Sequence, residues 1–300
     1  MSLASTETIQ RHLEKQRAKV DEILESLLPG VGEYPPIIHR AMRYSVFAGG
    51  KRLRPILCLE AGKLLGGDEA SLLRLGAAIE MIHTYSLIHD DLPALDNDDL
   101  RRGKPTCHRA FGEATAILAG DALLTLAFEV ISSPPPPPEP QKLRVIRELA
   151  HAIGTCGGMV GGQVVDLEAM GPSVDAATLR YIHSAKTGAF IRASVRSGAL
   201  YSGAGESDLA RVSTYGEKVG LAFQIVDDLL DVLGSEKELG KTVGKDRERH
   251  KATYPGLYGI EESKRMANEL ALEGCQALEA YGSRAQTLQD IARFLVLRSS

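Results

Sequence analysis

Cysteine is scarce and dispersed in this chain: Cys58, Cys107, Cys156 and Cys275 lie far apart and form no CxxC pair. That spacing speaks against a disulfide scaffold or a zinc site and fits a reducing, cytoplasmic setting. A concentrated basic block is also missing. With a formal charge of -4 and basic residues scattered among a slight acidic excess, no nucleic-acid partner is expected. The opening residues MSLASTETIQRHLEKQ lack the apolar core of a signal peptide. No membrane span is expected either, because the oiliest stretch, 114 to 131, is broken by Asp121 and Glu129. Strict alternation of apolar and polar residues, which would demand a strand, is not sustained anywhere. A Ser-His-Asp or Cys-His motif for nucleophilic catalysis is absent.

What remains is helical periodicity. Ile9, Leu13, Val20, Leu24 and Leu27 recur at the spacing of an amphipathic helix, closed by Pro29 and Gly30. Pro35 and Pro36 can open a second helix in its first turn, and Pro55 a third. A fourth runs from about Glu69 through Leu72, Leu75, Ile79 and Ile82 to a group of aspartates, with Pro93 marking its end. A long apolar helix follows from about Glu113 to Val130. The proline-rich run SSPPPPPEP at 132 to 140 cannot be helical, and reads as an extended loop between helices, with a domain boundary as the lesser alternative. Helical patterns then cover 141–153, 158–169, 175–202, 207–233, 261–281 and 285–297. A chain of 300 residues could form two domains. Uniform helical character instead predicts one all-α bundle over residues 1–300.

Two aspartate clusters interrupt the apolar helices. Asp90 and Asp91 are followed, past Pro93, by Asp96, and a separation of six residues places that carboxylate on a break in the helix. Asp227, Asp228 and Asp231 form the second cluster, with Asp227 and Asp231 on one helical face. Either cluster alone could be a solvated helix end. Two clusters set among apolar residues are harder to explain so, since unpaired buried charge is costly and neighbouring carboxylates repel. Bound Mg2+ resolves both problems. It is a hard ion held by few carboxylates together with water and substrate phosphate.

Basic groups accompany the acids. GGKRLRP at 49–55 presents Lys51, Arg52 and Arg54 behind two glycines, and RRGKPT at 101–106 repeats the pattern with Arg101 and Arg102. Lys241, Lys245, Arg247, Arg249 and Lys251 follow the second cluster. Solvated loop lysines are the ordinary alternative for each taken singly. Between the clusters, Gln163 and Asp166 share a helical face in GGQVVDL, Lys186 and Thr187 lie in KTG, and Gln224 shares a face with Asp227. Buried polar groups pairing across helices would account for these as well. His83 precedes Asp90 by two helical turns, so it can reach a phosphate on the same face. His89 beside Asp90 also evokes a metal phosphohydrolase, but His108, His151 and His183 stand in no metal-ligand motif.

Taken together, GGKRLRP, the Asp90 to Asp96 cluster with RRGKPT, GGQVVDL, KTG and FQIVDDLLD resemble the trans-isoprenyl diphosphate synthases. The five motifs run in that family's order, which is more specific than any one of them. The resemblance implies an all-helical bundle, usually homodimeric, with a central cavity. It implies that Asp90, Asp91 and Asp96 from one side, and Asp227, Asp228 and Asp231 from the other, bind Mg2+ on an allylic diphosphate. Arg101, Lys186, Lys241 and Lys251 would grip that diphosphate. Lys51, Arg54, His83 and Arg102 would hold isopentenyl diphosphate, with Thr187 and Gln224 facing the developing cation. Tyr85 and Ser86 would form the floor of the tail pocket. A bulky Tyr85 implies farnesyl diphosphate as product, with geranylgeranyl diphosphate the alternative. A silent partner subunit would have lost one aspartate cluster, and a terpene cyclase would lack GGKRLRP; both departures are missing here.

Overall fold

A computed structural model describes residues 3–134, 137–169, 174–233 and 253–297. Lys241, Lys245, Arg247, Arg249 and Lys251 lie outside these residues. The helices are α1 (Leu3–Leu27), α2 (Pro36–Val46), α3 (Leu53–Leu64), α4 (Glu69–Asp90), α5 (Cys107–Phe111) and α6 (Glu113–Ser132). They continue as α7 (Glu139–Ile153), α8 (Met159–Glu168), α9 (Ala176–Ile182), α10 (Ala189–Tyr201) and α11 (Glu206–Leu233). After the second aspartate cluster come α12 (Tyr254–Tyr258), α13 (Ile260–Ala277) and α14 (Gln286–Leu297), with a 3-10 segment over Glu279–Ala285. The expected all-α architecture is present.

The bundle is organised around α4, α10 and α11. Leu72, Leu75, Ile79, Met81 and Ile82 bury α4 on several sides at once. It packs on α6 and α3, while α10 packs between α3, α7 and α11, and α11 lies along α13. Buried apolar side chains from α1 to α14 join in one core. Helix α6 is long and apolar enough to cross a membrane by composition alone. Its Ala116, Ala119, Leu123 and Ala127 are buried in the bundle, and Asp121 and Glu129 stand exposed on its outer side. The helices on either side of the proline run, α6 and α7, pack against each other.

The structure departs from simple periodicity at two places, and both carry residues singled out in the sequence. The predicted helix over 175–202 is broken into α9, a π-helical turn at His183–Gly188, and α10. Such turns are rare and cluster at functional sites. The stretch after Asp98, read as a loop, contains a minimal antiparallel hairpin, β1 (Leu100–Arg101) with β2 (Lys104–Pro105). Arg102 and Gly103 form its turn at positive φ, 53° and 75°. That is the backbone sign which matches the twist of two-residue hairpins. Two-residue strands are too short to show an alternating pattern.

Candidate active site

The first aspartate cluster is set by the end of α4. The helix stops at Asp90, and its cap, Asp91, begins a series of tight turns. The Asp96 amide donates to the Asp90 carbonyl at 2.8 Å, and the Asp98 amide to the Asp91 carbonyl at 3.2 Å. The expected break thus folds Asp96 back toward Asp90. Asn97 completes the turn in the left-handed region, at a φ of 48°.

Asp91 and Asp90 do different work. Both Asp91 oxygens accept from the Arg101 guanidinium, at 2.5 to 2.8 Å, and the carboxylate is buried. Burial raises the Asp91 pKa, and the Arg101 hydrogen bonds and charge oppose that rise. Asp90 is half-buried and accepts from Gln163 Nε2 of α8 at 2.7 Å. Gln163 Oε1 is buried with no partner among the described residues.

A second group forms where GGKRLRP meets the hairpin. Arg102 donates to the Gly49 carbonyl, and its guanidinium lies so close to Gly50 that a Cβ there would sit 2.7 to 2.9 Å from it. Gly50 also has a φ of +130°, so this approach requires glycine. The loop's arginines then separate. Arg52, at a left-handed φ of 52°, is buried and bonds Asp21, Glu80 and the Val46 carbonyl, each at 2.7 Å. It holds the loop to α1 and α4. Arg54 instead stacks its guanidinium over Phe190 at 5.4 Å and lies 3.5 Å from His83 Nε2, with its own Nε buried and unpartnered.

Burial lowers the Arg54 pKa to about 10, with Arg102 adding to the fall and Glu80 and Asp227 opposing it. Arg54 therefore stays charged at neutral pH and also senses the second aspartate cluster. Burial, then Arg54, Arg102, Arg101 and Arg52, push the His83 pKa well below its ordinary value. His83 is thus a neutral imidazole that can donate one N–H. Lys51 stands exposed on the same loop. The buried Arg54 Nε, without a hydrogen-bond partner among the described residues, suits this pocket to binding an anion. The non-glycine residues at positive φ among those described, Arg52, Asn97 and Arg102, all belong to these loops.

The opposite wall comes from α8, the π-turn and α11. Gly162 lets α8 reach the π-turn, since a Cβ there would lie 2.3 Å from the Lys186 amide nitrogen. Lys186 Nζ donates to Asp166 at 2.8 Å, and both Lys186 and Thr187 are half-buried. On α11, Asp227 is half-buried, while Asp228 and Asp231 are buried. Asp228 accepts from Gln224 Nε2 at 3.3 Å and from the Tyr254 amide at 2.9 Å. Like Asp91, it is buried and engaged within the protein.

Among the described residues no group of three or more acidic, histidine or cysteine side chains forms a ready metal cage. Half-buried Asp90, Asp96 and Asp227 offer hard oxygen donors in small number, which fits Mg2+ completed by water and phosphate oxygens. His89 does not contribute: its Nε2 is 3.0 Å from the Ile117 carbonyl, facing α6. His108 is buried with its Nδ1 3.1 Å from Thr106 Oγ1. Both histidines are thus engaged away from the aspartates. Sequence patterns missed Glu80, Asp21 and Tyr254, whose partners are remote in the chain, and gave His183 no role although it lies three residues before Lys186.

An all-helical bundle with aspartates, arginines and a lysine converging on its interior belongs to the class of helical enzymes that transfer prenyl groups. The chain is a member of the polyprenyl synthetase family, whose model matches residues 35–293. It is 46% identical over 291 residues to a geranylgeranyl diphosphate synthase of Cyanophora paradoxa, covering 96% of each chain. It superposes on an FPP/GFPP synthase from Zymomonas mobilis with a TM-score of 0.86 and 39% identity, covering 97% of this chain and 99% of the other. A geranyltransferase from Helicobacter pylori, solved with magnesium and isoprenyl diphosphate, gives a TM-score of 0.81 at 32% identity, covering 94% and 96%. The family and fold expected from the motifs are therefore correct, and the chain is a trans-prenyltransferase.

Proposed function

We propose that the protein condenses isopentenyl diphosphate head-to-tail with dimethylallyl or geranyl diphosphate, releasing pyrophosphate, with Mg2+ as cofactor and farnesyl diphosphate as product. The observation that carries this reading is the pocket of Arg54, His83 and Arg102, where a buried cationic Nε has no partner, beside the aspartate-lined wall. That pocket takes the diphosphate of the isopentenyl substrate, with Lys51 at its rim. Across from it, Asp90, Asp96 and Asp227, supported by Asp91, Asp228 and Asp231, hold Mg2+ on the allylic diphosphate. Arg101, Lys186, Lys241 and Lys251 bind the same group.

Breaking the allylic carbon–oxygen bond leaves a cation and a highly charged pyrophosphate. Mg2+, when bound, neutralises the departing diphosphate. Arg101 and Lys186 add fixed positive charge on the leaving group, in a site where low water content strengthens each interaction. Thr187 and Gln224 direct oxygen dipoles at the carbocation. Arg54, His83 and Arg102 hold the second substrate so that its double bond lies beside the cation, which replaces an encounter in solution by a positioned reaction. The apolar walls keep water from capturing the cation.

Tyr85 supports the fifteen-carbon product. It lies just before Asp90, is buried, and meets His89 edge-on with ring centroids 5.8 Å apart. The name of the Cyanophora relative favours geranylgeranyl diphosphate as the second reading. Exposed Ile117, Leu118 and Leu143 on α6 and α7 support a homodimer, and four free cysteines suit a cytoplasmic setting. We take residues 1–300 as a single polyprenyl synthetase domain. Incubation with isopentenyl diphosphate, each allylic primer and Mg2+, followed by chromatography of dephosphorylated products, tests the reading. A fifteen-carbon product is expected; a twenty-carbon product selects the alternative, and no prenyl product refutes the proposal in favour of a silent partner subunit.

A further inference from the structure

His183 has so far no part in the reaction, yet its surroundings are unusual. It begins the π-turn that carries Lys186 and Thr187, and it is buried, as are Asp228 and Tyr254. Its Nε2 lies 3.6 Å from Asp228 Oδ2, the same oxygen that accepts the Tyr254 amide at 2.9 Å. Its ring stacks on that of Tyr254, with centroids 5.2 Å apart and planes inclined by 28°. Tyr254 in turn lies 5.5 Å from the Tyr258 ring. His183 Nδ1 is buried without a partner, so the ring's polar capacity is directed at Asp228 alone among the described residues. The imidazole thus packs against a buried carboxylate oxygen that the Tyr254 amide already holds, so that the two rings and Asp228 form one contact unit.

We propose that His183 is a positioning residue: with Tyr254 it clamps Asp228, and so fixes the height and rotation at which α11 presents Asp227 to the allylic diphosphate. The clamp joins three segments distant in sequence, namely the π-turn, α11 and the chain entering α12. It sets the separation between Lys186, on the π-turn, and Asp227, next to Asp228. Outer partners of carboxylates that bind metal act in this way, by orientation rather than by contact. The inference rests on the proposed diphosphate site, and concerns the allylic half of it alone.

His183→Phe keeps the ring stack and removes the N–H, whereas His183→Gln keeps an N–H at the same distance from the backbone. Calorimetric titration of each with a non-ionisable thiolo analogue of geranyl diphosphate, with and without Mg2+, reads the site without turnover. His183→Phe is expected to bind the analogue about 10-fold or more weakly in the presence of Mg2+, the usual cost of losing an outer-shell partner. His183→Gln is expected to bind near the wild-type level. The KM for isopentenyl diphosphate should be unchanged in both. Wild-type binding by His183→Phe overturns the proposal, as does equal impairment of His183→Gln at an unchanged melting temperature. If His183→Phe does not fold, His183→Gln decides alone, and failure of both to fold assigns His183 to the core and overturns the clamp. A wild-type enzyme that forms no prenyl product refutes the proposed function, a result separate from any difference among the variants.

Discussion

Gln163 Nε2 donates to Asp90 Oδ1 at 2.7 Å, joining α8 to the end of α4. One side chain thereby fixes the orientation of a carboxylate from which its own residue is separated by 73 positions. Half-buried Asp90 and Asp227 then present their oxygens, while Asp91 and Asp228 are buried behind them. Asp90→Ala and Asp227→Ala are each expected to lower kcat on the order of 100-fold or more while leaving the melting temperature near wild type. Steady-state assays beside thermal melts check this, and wild-type turnover in either variant removes the metal assignment.

Gly50→Ala tests the other pocket. The new methyl would meet the Arg102 guanidinium at under 3 Å, on a backbone with φ of +130°. Arg102 must move away from the Gly49 carbonyl. The expected outcome is a raised KM for isopentenyl diphosphate, with binding of the allylic analogue retained. A loss confined to the allylic side would contradict the assignment of Arg102.

The buried Arg52 to Glu80 pair holds the same loop from below, at 2.7 Å with both side chains 2% exposed. Glu80→Ala leaves a buried guanidinium with one carboxylate fewer. A stability loss of about 3 to 5 kcal/mol is expected, measured by urea denaturation. The change should be far smaller for Glu261→Ala, whose pairing with Lys264 is exposed.

His83 sets a pH dependence. Its pKa in the folded state is lowered, by burial first and by the surrounding arginines second. The unfolded chain therefore takes up the proton first as pH falls. The stability this group contributes is present above the ordinary imidazole range, near pH ~6.5, and is lost as pH drops from there toward the lowered folded value. His83→Gln should flatten that part of the melting-temperature profile. An identical slope in both proteins would show that the acid sensitivity arises elsewhere.

Tyr85→Ala removes the bulk one turn before the aspartates and should shift the product toward twenty carbons or more. Product chromatography reads this directly. An unchanged product would place the floor of the tail pocket at another residue.

Local pattern determined much of this protein. The spacing of apolar residues marked nearly every helix, and the order of aspartate and basic motifs marked the family, because both are written in neighbouring residues. The division of labour within those motifs is not local. Arg52 and Arg54 are two residues apart in the same loop, yet the first is tied to Asp21 and Glu80 and the second faces His83 with a free Nε. Asp90 and Asp91 are adjacent, yet only the second is enclosed by Arg101. The hairpin at Arg102 and the π-turn at Lys186 are likewise too short, or too dependent on packing against Gly50 and Gly162, to leave a periodic trace. Sequence alone determined which residue types the site would contain and where along the chain they lie. Only the tertiary structure decided which stay half-buried and which are enclosed to hold the others in place, because burial and hydrogen-bond partners are set by segments that meet only when the bundle closes.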